Sequence, residues 1–91
     1  MSKCAVYSDE FNLAILILKY QDMGEPIWFS KACELLPNIN RNQLSDAFDR
    51  LEDMMMINSE WTYNKEGKRV MTYTIDESFI YFVRSFISAN G

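Results

Sequence analysis

Residues 40–55, NRNQLSDAFDRLEDMM, constrain the fold of this chain more than any other stretch. Leu44, Ala47, Phe48, Leu51 and Met55 recur at i, i+3, i+4, i+7 and i+11, which lines one face of an α-helix and predicts that this face is buried. Asn40 is a good N-cap, and Gln43 three residues on completes the spacing of a capping box. The turn Pro37-Asn38-Ile39 separates this helix from a shorter one over 30–36, which Ser30 is expected to cap and Pro37 to end. Two helices joined by so short a turn must cross rather than run on, and a third element has to cover their shared apolar side.

The first helix, expected over 8–21 with Ser8 as its cap, supplies that cover. It is apolar on two opposite sides, with Phe11, Ala14, Ile15 and Leu18 on one and Leu13, Leu16, Ile17 and Tyr20 on the other. A small chain is expected to leave one of those sides open to a partner, most economically a second copy. Pro26-Ile27-Trp28-Phe29 is too brief for a helix and reads as a short extended segment. The runs 57–63 and 69–75 are rich in aromatic and β-branched residues and flank Asn64-Lys65-Glu66-Gly67-Lys68, a hairpin with a glycine in its loop. Their period of two places Trp61, Tyr63, Met71, Tyr73 and Ile75 toward the core. A last helix, over 77–89, carries a broad arc of Phe79, Phe82, Val83, Phe86 and Ile87, wider than packing on one small core requires. The expected dimer surface is therefore Leu13, Leu16, Ile17 and Tyr20 with Phe79, Phe82 and Phe86.

The order of elements is helix, short strand, helix, helix, strand, strand, helix. This is a mainly α fold with a small β-hairpin, the winged helix-turn-helix arrangement, as one domain over 1–91. The run Gln43-Leu44-Ser45-Asp46-Ala47-Phe48-Asp49-Arg50-Leu51-Glu52, followed by Met56-Ile57, is similar to the recognition helix and first wing strand of PadR-like and MarR-like transcriptional regulators, which carry L-x-x-A-L-x-R-L-E, a glycine and then L-I. The second run, Arg69 to Glu77, resembles their R-x-x-Y-x-I-T-E-E. The resemblance covers roughly residues 8–90. It departs from the pattern at the glycine, which is Met55 here. It implies a dimeric DNA-binding repressor assembled through its first and last helices.

The charges qualify that implication. The net charge is −4 with a pI near 4.6, which argues against indiscriminate attraction to nucleic acid or anionic membrane. Opposite the Leu44 face, Asn42, Asp46, Asp49 and Asp53 form a mostly acidic stripe that phosphates would repel, partly offset if Arg50 pairs with Asp46. The groove-entering amino end of the helix is different, since Arg41, Asn42, Gln43 and Ser45 there are suited to base edges. At the hairpin tip Lys65, Lys68 and Arg69 outweigh Glu66, and with Lys31 they are the expected phosphate contacts. Solvation of the acidic stripe and edge protection by the tip cations account for the same residues without any ligand. Two classes of function fit: a sequence-specific regulator on double-stranded DNA, or a winged helix whose acidic face meets a basic protein partner.

No histidine, Gly-rich phosphate loop or nucleophile motif marks a reaction centre, so no enzyme, cofactor or metal is expected. Cys4 and Cys33 lie far apart, and Cys33 reads as a small core residue. The six methionines fit an adaptable core or seam. The apolar run 13–18 is far shorter than the ~20 residues of a membrane span, and no leader pattern precedes it, so the chain reads as cytoplasmic.

Overall fold

The computed structural model describes residues 9–90, with side chains described through Ser88. The expected cap at Ser8 and the residue Cys4 lie outside the described residues. Along the chain run α1 (Asp9–Met23), α2 (Phe29–Leu35), α3 (Arg41–Asp53), β1 (Ile57–Tyr63), β2 (Arg69–Ile75) and α4 (Glu77–Asn90). The strands pair antiparallel in register from Ile57↔Ile75 to Tyr63↔Arg69, and the short extended segment adds one bridge, Trp28↔Thr72, to the free side of β2. No described helix is long and apolar enough to cross a membrane.

α1 is the centre of the molecule, in contact with α3, β2 and α4. That corrects the expectation that one of its sides must stay open. Leu13 and Ile17, assigned above to a dimer surface, have no exposed area and belong with Ala14, Leu18, Leu44, Ala47, Leu51 and Val83 to the chain's own core. Three elements surround the helix, so a single chain covers both apolar sides. Leu16 and Tyr20 are partly buried against the same core. α4 meets α1 through Phe86 stacked on Phe11, ring centroids 4.4 Å apart.

At the other end of α1, the Arg84 guanidinium donates to both carboxylate oxygens of Asp22, at 2.8 and 2.9 Å. These bonds, with the charge of Arg84, hold the Asp22 carboxyl below its ordinary value of 3.8 against the opposing effect of desolvation. A depressed carboxylate contributes stability above its unfolded pKa and loses it as pH falls through the folded value. The stability difference between the native chain and Arg84→Ala is therefore expected to be small at neutral pH, because both groups are exposed, and to vanish in acid. An NMR titration should show the Asp22 carboxyl returning to the ordinary range in the variant; an unmoved value would contradict the assignment.

α3 begins with the capping box its sequence predicts. Gln43 N–H donates to Asn40 Oδ1 at 2.8 Å, and Asn40 N–H donates to Gln43 Oε1. α2 differs: it starts two residues earlier than a helix capped by Ser30 would, after Trp28, with no side-chain cap, so Ser30 lies inside the helix. Leu44, Ala47, Phe48 and Leu51 are buried as the period requires, but Met55 is 76% exposed. The helix has ended by then. Met56 N–H donates to the Leu51 carbonyl and Met55 N–H to that of Glu52, which is the Schellman arrangement, and Met55 occupies its left-handed position at φ 59°. Met56 turns inward instead.

The end of α1 makes the same two bonds, Glu25 to Tyr20 and Gly24 to Gln21, with glycine in the left-handed position at φ 74°. A Cβ there costs roughly 1–2 kcal/mol. Replacing Met55 by glycine removes that strain at the expense of some unfolded-chain entropy, a net gain of about 0.5–1 kcal/mol. Met55→Gly is thus expected to raise Tm by several degrees, measured by thermal denaturation, whereas Met55→Val should lower it.

The hairpin loop is closed by Asn64, whose Oδ1 accepts from Glu66 N–H and Lys68 N–H, each at 2.9 Å, with Gly67 left-handed at φ 82°. β2 is tied to the rest of the chain by Tyr73 N–H donating to the Ile27 carbonyl and Ile75 N–H to Gln21 Oε1. Asp76 opens α4, its carboxylate accepting from Ser78 N–H and Oγ and from Asn58 Nδ2.

Candidate nucleic-acid interface

The amino-terminal turn of α3 projects Arg41, Asn42, Gln43 and Ser45 into solvent, while its anchor Phe48 packs on Tyr73 and Phe29 at ring-centroid distances of 4.5 and 5.7 Å. Capping occupies the carbonyl oxygen of Gln43 and leaves its NH₂ group. Arg41 lies back over α2, its guanidinium 5.1 Å from the Phe29 ring centre and Nη1 3.9 Å from Cys33 Sγ. Cys33 is partly buried, packed against the core as its apolar neighbours predict, and its Sγ borders this surface.

Asp46, Asp49, Glu52 and Asp53 are all exposed. Arg50 does not serve Asp46; it reaches across to Glu10 of α1, because the i+4 neighbour lies in water while α1 offers a carboxylate on the packed side. The acidic stripe is therefore less compensated than the sequence suggested. Its field reaches the wing: burial, then the charges of Glu52 and Asp49, push the Tyr73 hydroxyl above its usual pKa of 10.0.

Lys31 is not an open phosphate contact. Its ammonium donates to the Pro26 carbonyl at 3.3 Å and sits 4.9 and 5.0 Å from the ring centres of Tyr20 and Trp28, a cation–π seat that holds the charge against the chain. Tyr20, assigned above to a dimer surface, is part of that seat. Lys31 and Lys65 both line a groove of about 470 Å³, but Glu25, Glu34 and Glu66 line it too. Carboxylates outnumber ammonium groups there, so the groove favours no phosphate.

Trp61 and Tyr63, expected to face the core, are 54% and 70% exposed. Period two places them on the same sheet face as Ile57, which is buried, but the hairpin extends beyond the helices that cover that face. The Arg69 guanidinium stacks on Trp61 at 4.3 Å from the ring centre, so the far half of the wing presents an aromatic–cationic surface next to the exposed Lys65 and Lys68. A count of strand residues against helix length could have signalled this; alternation alone could not.

α2 and α3 joined by a tight turn, with α3 packed on α1 and a projecting hairpin following, define a winged helix-turn-helix protein. No family model matches the sequence, and no curated protein matches it either. In three dimensions the chain is similar to a crystal structure of a PadR-like transcription factor from Bacteroides fragilis, with a TM-score of 0.66 and 18% identity over 88% of this chain and 77% of that one. At that identity the likeness shows the fold alone, and it falls on the PadR-like side of the sequence resemblance.

Proposed function

We propose that this chain is a dimeric, sequence-specific DNA-binding regulator of transcription, acting as a repressor. The observation that carries the proposal is the exposed amino-terminal turn of α3, where Asn42, Ser45 and the amide of Gln43 face solvent beside Arg41, which is exposed over Phe29, on a helix locked by its capping box and by Phe48. The shared fold of a PadR-like transcription factor supports it. In this proposal that turn enters the major groove, Lys65, Lys68 and Arg69 hold the backbone, and the acidic later turns stay outside.

The second copy is assigned to the α4 side. Phe82 is 50% exposed there and borders an apolar hollow of about 330 Å³, lined also by Phe11, Met54, Met56 and Phe79. Phe86, stacked on Phe11, is partly exposed on the same side.

Fluorescence anisotropy with a random duplex pool at two salt concentrations tests the DNA reading: affinity should fall steeply with salt, and absence of binding at low salt would refute it. Sedimentation on the order of tens of micromolar tests the dimer, and Phe82→Glu should return it to monomer.

A further inference from the structure

Beyond DNA contact, the wing has an edge of its own. β2 is flanked by β1 and by the Trp28 bridge, which leaves the outer edge of β1 with no strand beside it among the described residues. The ladder shows which groups face outward. Asn64 N–H donates to the Lys68 carbonyl, and Asp76 N–H to that of Met56, so the even positions of β1 point their backbone at β2, and Ser59, Trp61 and Tyr63 direct N–H and C=O away from it.

Proteins ordinarily blunt such an edge with proline, lysine, a bulge or a covering segment. Ile57–Tyr63, INSEWTY, has neither proline nor lysine, and it pairs with β2 at all seven positions without a bulge. Beside its first half lies a hollow of about 440 Å³ lined by Glu52, Met55, Ile57, Asn58, Ser59 and Asp76. Both charged groups in that lining are carboxylates. Glu60 adds a third acidic group along the strand, whereas Trp61 and Tyr63 offer exposed rings toward the tip.

We propose that the free edge of β1 binds an extended, basic segment of another protein by strand addition, with lysine or arginine beside Glu52 and Asp76 and uncharged side chains beside Trp61 and Tyr63. Main-chain bonds to Ser59, Trp61 and Tyr63 supply attachment, and the charge gradient along the edge sets the direction of the added strand. A second copy of this chain is a poorer occupant, because pairing β1 with itself brings Glu60 and the acidic hollow of both copies to one seam.

The test uses the whole chain without DNA, so its outcome is separate from that of the DNA reading. A blocked hexapeptide, Lys-Val-Lys-Val-Thr-Val, is titrated against the isotope-labelled protein by NMR, with a counterpart bearing glutamate in place of lysine. Expected are saturable shifts and exchange protection at the Ser59, Trp61 and Tyr63 amides, weakened by salt. Ser59→Pro should abolish them, since it removes an outward N–H without touching the β2 ladder. Glu52→Lys, at an exposed helical position, should weaken binding by about fivefold and serves where the proline variant does not fold. No shifts up to about 1 mM peptide, equal binding of the glutamate peptide, or the same shifts appearing with protein concentration alone would each overturn the proposal.

Discussion

Phe48→Ala is expected to remove about 3–5 kcal/mol of folding stability, measured by urea denaturation at neutral pH. The ring is almost wholly buried and touches the aromatic rings of both α2 and β2, through Phe29 and Tyr73. It is the one side chain of α3 that ties the helix-turn-helix to the wing by ring contacts. Truncation leaves a cavity between three elements that cannot all move inward, because α1 already packs on α3 and on β2. Domains of this size have roughly 5–15 kcal/mol in total, so the variant should sit near the edge of unfolding. Phe48→Leu, which keeps most of the volume, should lose about half as much or less. Equal stability of Phe48→Ala and the native chain would mean that α3 is not seated as described.

The second large effect concerns DNA. Lys68→Glu with Arg69→Glu is expected to reduce affinity for duplex DNA about 100-fold or more at moderate salt and to lower the salt slope by about 2, one unit for each phosphate that is no longer neutralised. In the binding mode proposed above, the wing tip supplies most of the phosphate neutralisation, because Lys31 is seated on Tyr20 and Trp28 and Arg50 is paired with Glu10. Removal of Arg69 also strips Trp61 of its cation, which makes Lys68→Glu alone the cleaner measurement of charge. Asp46→Asn and Asp49→Asn probe the other side of the balance. If the later turns of α3 lie outside the groove, these two changes should raise affinity only a few-fold, through the long-range field. A rise as large as the fall from the wing variant would place the acidic stripe against the phosphates and displace the binding mode proposed above.

Where the chain spoke through short-range rules, the order of its elements was legible before any coordinates. The capping box at Asn40 and Gln43, the helical period of Leu44, Ala47, Phe48 and Leu51, and the strands at 57–63 and 69–75 are all properties of neighbours within a few residues. Such signals determine local conformation and which face is apolar. They do not say how many other elements arrive at that face.

Tertiary structure decided the rest, and each correction has that cause. Leu13 and Ile17 looked surplus because one helix was weighed against a small core, yet three elements converge on α1 and bury them within the chain. Trp61 and Tyr63 share the inward face of the hairpin, but the helices stop short of them. Arg50, expected to pair with Asp46, is instead taken by Glu10 of α1, and Lys31, expected to meet a phosphate, is held by the nearby Pro26 carbonyl and Trp28 ring together with Tyr20 of α1. Local pattern determined helices, strands and polarity here, because those depend on dihedral preference and periodicity along one segment. Which apolar residues are covered and which cations stay available depend on distances between segments far apart in sequence, and only the folded arrangement sets those distances.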